Sequence, residues 1–180
     1  MSRWGCMRKL RRFALARGGH AAVEFAVLLP VMLLLLFGSV DLIDMLQANR
    51  RAQNTAASIA DVVARDTEVT TDEVTGLWSA VNLLMFPSDG NDVKVRINSI
   101  LVVDATRAEV VWSEGHGISG RVSGEQVTIP DGMMQPGSSL IMTETEFSYR
   151  SPLGFLTPSA RTFRHTIHRR SRLVDPIPRV

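Results

Sequence analysis

One stretch of the sequence has the glycine spacing of a nucleotide-binding turn. Residues 115–120, GHGISG, fit the pattern G-x-G-x-x-G and follow a predicted strand. In a dinucleotide site such a turn opens a helix whose free amide groups hold the pyrophosphate. No helical pattern follows here, because residues 122–130 read as loop and short strand. We therefore interpret the stretch as a surface loop and predict no cofactor.

The side chains that commonly ligate metals are badly spaced for a shared site. His165 and His168 are three residues apart on a predicted strand, so they point to opposite faces. His116 stands alone in the predicted loop. Asp89 and Asp92 lack the ligand pattern of a calcium loop and are better interpreted as a turn. With no serine nucleophile elbow and no paired carboxylates, we predict no metal, no catalytic residue and no enzyme.

The charges are unevenly distributed and argue against nucleic acid as a partner. The 180 residues carry 20 basic and 18 acidic groups, a formal charge of +2. Residues 1–19 hold six basic and no acidic groups, and residues 161–180 carry a net +5. The body between them carries −9, which would repel phosphate backbones. The single cysteine, Cys6, lies in the basic leader, so no intrachain disulfide can form.

The longest apolar run lies directly after the basic leader. Residues 21–43, AAVEFAVLLPVMLLLLFGSVDLI, would span about 34 Å as a helix, against about 30 Å of bilayer hydrocarbon. Its uncharged centre places Glu24 near one edge of the hydrocarbon and Asp41 near the other. The cationic leader favours a cytoplasmic amino terminus, which places everything after Asp41 outside the inner membrane. Cleavage after the apolar run is disfavoured, so we expect the helix to stay as an anchor.

The boundary between leader and apolar run carries a glycine and, five residues later, Glu-Phe. This arrangement of Gly19, His20, Glu24 and Phe25 resembles a class III, prepilin-type processing site, which a membrane-embedded peptidase cuts after the glycine. The resemblance implies a mature chain that begins at His20. Glycine before the cut bond would let an extended backbone enter a tight protease cleft.

Glu24 needs an explanation of its own, because a carboxylate within the bilayer costs about 2.5 to 3.5 kcal/mol. Cleavage after Gly19 would create an α-amino group at His20, one helical turn away on the same face. That amine, or the amine of a neighbouring subunit, would neutralise the carboxylate. In pilin families a glutamate at this place is associated with subunit registration during assembly. The alternative is a glutamate that only reaches toward the membrane surface.

The segment GGHAAVEFAVLLPVMLLLLFGSVDLIDML, residues 18–46, resembles the TadE-like family of the tight-adherence (Flp) pilus system. Residues 53–70 resemble the stalk of that family, and residues 146–149 and 162–172 resemble its carboxyl-terminal strands. Residues 88–140 lie outside the resemblance. Pro30 corresponds to the early proline of the family. It removes the hydrogen bond to the Ala26 carbonyl, so we predict a kink there; a tolerated membrane proline without an assembly role is the alternative.

The resemblance implies a minor pseudopilin that is a substrate of a peptidase and not a catalyst. Its implied partners are the prepilin peptidase, other pseudopilins, the major Flp pilin and the inner-membrane assembly platform. The other interpretation of the sequence is a signal-anchored, single-pass envelope protein. Its extracytoplasmic domain would bind a ligand or another protein.

The remaining pattern predicts an α+β fold. A long N-terminal helix, first transmembrane and then amphipathic, leads to a small extracytoplasmic head with one further helix and an antiparallel sheet. Apolar residues at three- and four-residue steps continue the first helix to about residue 66. The predicted parts are a basic prepilin-type leader over 1–19, a transmembrane helix over 20–43, an amphipathic stalk over 44–69 and the head over 70–180.

Within the head, Thr70 and Glu73 have the spacing of a capping box, which predicts a helix over 71–86. Strands are predicted over residues 93–103, 107–113, 140–149 and 161–174. The last strand is basic through Arg164, Arg169, Arg170 and Arg172. Its charges would contact the acidic surface of a neighbouring subunit or assembly partner. The alternative is a solvated edge strand that its charges protect from aggregation.

Overall fold

The computed structural model describes residues 19–154 and 158–180. The predicted leader up to residue 18, with Cys6, therefore lies outside the described residues, as does the centre of the loop between the last two strands. The described residues form two α-helices and a four-stranded antiparallel sheet. This architecture confirms the predicted α+β fold.

The first helix, α1 (His20–Val63), is one continuous element of 44 residues. It ends at Val63, three residues earlier than the periodicity predicts. The amide of Arg65 donates to the carbonyl of Val62, only three residues back, so the backbone tightens and leaves the helix. Within the described residues, α1 is the one helix that is long and apolar enough to cross a membrane.

The two halves of α1 differ in what surrounds them. From Val23 to Phe37 the large apolar side chains are all exposed, as expected of an anchor that faces lipid. The second half packs against the sheet. It does so through a stripe of mostly small buried residues, which lets the helix approach the strands closely: Ala48, Ala52, Thr55, Ala56, Ile59, Ala60 and Val63.

The sheet contains the strands β1 (Val93–Val102), β2 (Ala108–His116), β3 (Ser139–Tyr149) and β4 (Arg161–Arg170). Their order is β2-β1-β3-β4, and every neighbouring pair is antiparallel. β2 is longer than predicted. The prediction that the last strand runs to Val174 is wrong after Arg170. There the amide of Ser139 donates to the Asp175 carboxylate (2.9 Å), which holds the bent segment after β4 against the start of β3.

The second helix, α2 (Thr71–Met85), is capped as predicted. The hydroxyl of Thr70 accepts from the amide of Glu73 (3.2 Å), and the Glu73 carboxylate accepts from the amide of Thr70 (2.6 Å). The helix ends one residue before the predicted end. Phe86 is already extended, as the residue before a proline usually is.

The main core lies between the sheet and the two helices, with Ile59, Val81, Ile97 and Ile141 among its fully buried members. A smaller core covers the opposite face of the sheet. It consists of Ile100, Val102, Ala108, Ile129, Leu140 and Met142. The sheet therefore has two apolar faces, and the long connection between β2 and β3 closes the outer one.

We expect Ala52→Leu to lower the free energy of unfolding by about 1 to 3 kcal/mol. Ala52 is fully buried where α1 packs on the sheet, and a larger side chain would push the helix off the strands. Thermal unfolding in detergent, followed by circular dichroism, measures the loss. Ala57→Leu, at a half-buried position on the same helix, is the control and should change stability by less than about 0.5 kcal/mol. Equal losses would contradict the close packing.

Candidate functional site

The predicted processing site lies at the start of α1. Gly19 occupies the N-cap position with φ −82° and ψ −14°, a helical conformation open to any residue. A Cβ atom at this position would meet no described atom within 4 Å. The described part of the fold thus places no demand for glycine at position 19. A requirement for glycine here would come from outside the fold, as it would from a peptidase cleft.

Glu24 and Phe25 lie about one turn further along α1, on its fully exposed half. His20 and Glu24 are four residues apart, so their side chains share one face at about 6 Å along the helix axis. This spacing is the one that pairing between a new amino terminus and the carboxylate requires. Both the cleavage and the pairing stay predictions.

Pro30 lies inside α1, and the helix continues through it from His20 to Val63. The proline has no amide to donate to the carbonyl of Ala26. The surrounding turns stay helical on both sides. The kink stays a prediction.

A polar junction, formed by Asp41, Asp44, Tyr149 and Ser151, joins α1 to the head at the end of the apolar run. Asp41 is only 3% exposed and accepts a hydrogen bond from the hydroxyl of Ser151. One turn later, Asp44 accepts from the hydroxyl of Tyr149 (2.7 Å). The hydroxyl of Ser151 also accepts from the amide of Gly154 (3.0 Å). These bonds tie the end of β3, and the loop after it, to the point where α1 leaves its exposed half.

Within the polar junction, the phenol of Tyr149 keeps its proton. Burial, followed by the nearby Asp44 carboxylate, raises the pKa of Tyr149 to about 12, so the hydroxyl remains a donor at physiological pH. The sequence alone places Asp41 only at the membrane edge. Tyr149 and Ser151 lie 105 and 110 positions beyond their partners, so no local spacing reveals the junction.

The histidines do not converge on a site. His165 and His168 occupy opposite faces of β4, as predicted, and His165 Nε2 lies 2.9 Å from Asn49 Oδ1 on α1. The placement of His116 in a loop is wrong: it is the last residue of β2 and stacks on Trp78, with ring centroids 5.3 Å apart. Among residues 19–154 and 158–180, no group of three His, Cys, Asp or Glu side chains is placed to hold a metal ion.

Residues 115–120 form the turn by which the chain leaves β2 and folds back over the sheet. A Cβ atom at Gly115, which belongs to β2, would lie 2.0 Å from the carbonyl oxygen of Ile118. A Cβ atom at Gly120 would lie 2.8 Å from the carbonyl oxygen of Ser113. Gly117 has φ +67°, in the left-handed region. These glycines permit close backbone contacts, and no α-helix follows them in the described residues, so the turn lacks the helix of a nucleotide site.

The segment after that turn is held by a carboxylate on the outer face of the sheet. Glu144 on β3 accepts from Arg96 Nε (2.7 Å), Arg121 Nη2 (2.9 Å) and Asn98 Nδ2 (3.1 Å). Burial raises the pKa of Glu144, but the hydrogen bonds and charges of the two arginines outweigh burial and bring it down to about 2. Arg121 also donates to Glu125 within the same segment, and its bond to Glu144 ties that segment to the sheet. The cluster is therefore structural.

Most of the arginines predicted to make the last strand basic are engaged within the chain. Three of the four bond to described side chains: Arg164 to Glu146 (2.9 Å), Arg170 to Gln135 (2.8 Å) and Arg172 to Asp61 (2.8 Å). Arg169 is exposed and donates only to the neighbouring carbonyl of His168 (3.3 Å). These internal bonds leave Arg169 as the one member of the set whose guanidinium bonds to no described side chain.

Comparison with known proteins locates a family match on α1. A family model described as TadE-like protein matches residues 19–61. The matched segment begins at Gly19, contains Glu24 and Pro30, and ends two residues before the end of α1. Neither a search of curated proteins nor a search of solved structures found a match. Residues 19–61 are therefore similar to the TadE-like family, which confirms the predicted resemblance for this part of the chain. The resemblance of residues 146–149 and 162–172 stays a prediction.

Proposed function

We propose that this chain is a minor pseudopilin that takes part in assembly of a Flp, or tight-adherence, type IV pilus for surface attachment. The TadE-like match supports a pilus-associated role. The observation that carries the finer proposal is the position of Glu24. It is a carboxylate on the exposed apolar half of α1, one turn after the Gly19–His20 bond. A charge inside the apolar run of a membrane helix is costly, and such residues usually serve a function.

Processing after Gly19 supplies a partner for Glu24. Cleavage exposes an α-amino group at His20, four residues before Glu24 on the same helical face. Pairing within one subunit neutralises the carboxylate in the bilayer. Pairing with the amine of an adjacent subunit also sets the axial register between two helices. Removal of the leader takes away six basic groups, which are the charges that favour a cytoplasmic amino terminus.

The exposed half of α1 supports assembly as well as anchoring. Its large apolar side chains need lipid around them in a membrane, and other apolar helices around them outside it. In a bundle of such anchors these faces cover one another. We place the head on the extracytoplasmic side of the bacterial inner membrane. The partners in this role are the prepilin peptidase, other pseudopilins, the major Flp pilin and the inner-membrane assembly platform, and the chain itself is not an enzyme.

We expect Gly19→Val to block processing when the chain is co-expressed with a prepilin peptidase. A β-branched side chain beside the cut bond stiffens the backbone and occupies the cleft. Mass spectrometry of membrane-extracted protein should find the wild-type chain beginning at His20 and the variant intact. Gly18→Val, one residue earlier, is the matched control and should still be cut.

Two outcomes would contradict the processing step. An intact wild-type terminus beside an active peptidase would overturn it. The chain would then fit the alternative, a signal-anchored envelope protein whose head binds a ligand or another protein. Cleavage of the Gly19→Val variant with wild-type efficiency would show that the peptidase does not require this glycine.

A further inference from the structure

The position of the bilayer surface along α1 follows from its sequence. Residues 21–40 contain one charged residue, Glu24, and span about 30 Å as a helix, which is the thickness of bilayer hydrocarbon. Asp41 is the first charged residue after that run. The hydrocarbon boundary on the side of the head therefore lies close to Val40 and Asp41.

The loop after β3 is bonded to α1 at this same level. Ser151 donates to Asp41, and the amide of Gly154 donates to Ser151 (3.0 Å). Gly38, about one turn below Asp41, is buried, whereas every residue of α1 from His20 to Phe37 is exposed. The head is thus bonded to α1 at Asp41, about one turn from Gly38 and at the level of the inferred hydrocarbon boundary.

The side chains at this end of the head suit a phospholipid surface. Leu153 is 53% exposed although it is large and apolar, and Pro152 beside it is exposed as well. Arg150 and Arg161, at the two ends of the connection between β3 and β4, are also exposed. Arginine can bury its alkyl stem while its guanidinium binds phosphate. An apolar tip flanked by cations is typical of a contact with the membrane interface.

We propose that the loop from Arg150 to Gly154, together with Arg161, is a second membrane contact of this chain. Leu153 enters the headgroup region of the leaflet on the side of the head, and the two arginines bind phospholipid phosphates there. The ligand is the bilayer that holds α1. The inference rests on α1 spanning that bilayer, which is part of the proposed function. The head is then held against the membrane at two points and does not stand free on its stalk.

A fluorophore at position 153 tests the contact in the full chain. Cys6→Ser removes the only cysteine of the sequence. Leu153→Cys in this background is labelled with nitrobenzoxadiazole, and the labelled chain is reconstituted in liposomes of phosphatidylethanolamine and phosphatidylglycerol. The control is Leu173→Cys, at a side chain that is 65% exposed. Its neighbour Arg172 bonds to Asp61, about 30 Å along α1 from the boundary. Lipids with a nitroxide near the top of the acyl chain should quench most of the emission at 153 and little at 173.

Equal, weak quenching at the two positions would overturn the proposal. Leu35→Cys, at a side chain 64% exposed on the membrane half of α1, separates this failure from failure of the anchor. Quenching at 35 without quenching at 153 would refute the loop contact alone. No quenching at 35 would refute the anchor itself. Arg150→Gln together with Arg161→Gln should reduce the quenching at 153. Unchanged quenching would show that the two arginines do not contribute to the membrane contact.

Discussion

We expect Glu144→Gln to lower the free energy of unfolding by about 2 to 3 kcal/mol. The new amide group presents donors toward Arg96, Arg121 and Asn98, which are themselves donors to the carboxylate. Both guanidinium groups are mostly buried, so water replaces the lost counter-charge poorly. Glutamine keeps the shape of glutamate. The loss therefore reports charge and hydrogen bonding, with no contribution from a cavity.

Glu146→Gln is the matched control, because Glu146 lies on the same strand and face and pairs with Lys94 and Arg164. Those two cations are more exposed than the partners of Glu144, so the effect should be much smaller. Denaturant unfolding of both variants in detergent, followed by near-ultraviolet circular dichroism, compares them. Equal losses would show that burial does not strengthen the Glu144 cluster.

The same carboxylate makes stability depend on pH in the acid range. The pKa of Glu144 is about 2 in the folded chain, against an ordinary 4.5, so the unfolded chain binds the proton first as pH falls. The contribution is complete above about pH 5 and is lost between about pH 5 and about pH 2. Unfolding midpoints of Glu144→Gln and wild type should therefore converge toward the low end of that range. A constant difference across it would contradict the lowered pKa.

We expect Glu24→Ala and Glu24→Gln to reduce surface pili about tenfold or more in cells with an otherwise complete pilus system, since about 1.4 kcal/mol of lost pairing already gives a factor of ten. Each variant loses the carboxylate that, in the proposed function, pairs with an amino terminus. Membrane insertion should be unchanged, because neither substitution adds a charge to the apolar run. Electron microscopy counts the pili, and membrane fractionation of the same cells measures insertion.

Glu68→Ala is the control for the Glu24 variants. Glu68 is exposed in the segment after α1, so its loss should leave piliation at the wild-type level. Wild-type piliation in the Glu24 variants would show that the carboxylate has no role in pilus assembly. Loss of the variants from the membrane fraction would show a defect of insertion and would contradict the expected mechanism.

The features that could be predicted from the sequence are those with a local signal. The apolar half of α1 needs only a continuous apolar run, and the start of α2 needs only Thr70 and Glu73 at the right spacing. The motif around Glu24 is contiguous, so it is visible in a single sequence, and the family match includes it. Capping and periodicity depend on residues that are close together in the sequence, which is why these elements could be predicted from the sequence.

The features that could not be predicted depend on residues far apart in the chain. Asp41 meets Ser151 across 110 positions, and no spacing rule identifies such a partner. The last strand ends at Arg170, before the predicted Val174, where Asp175 bonds back to Ser139 at the start of another strand. Tertiary contacts of this kind override the local secondary-structure preference of a segment. They determine which residues meet in the polar junction and on the outer face of the sheet.

The continuity of α1 has a mechanical meaning. A helix of 44 residues is about 66 Å long, and its second half is also a wall of the main core. The helix is unbroken from His20 to Val63, although Pro30 leaves the carbonyl of Ala26 without its helical donor. A displacement along the axis is therefore transmitted from the apolar end of α1 to the sheet. Displacing the anchor by one turn, about 5.4 Å, carries the head the same distance. Helix α1 and the head then move together as one rigid unit.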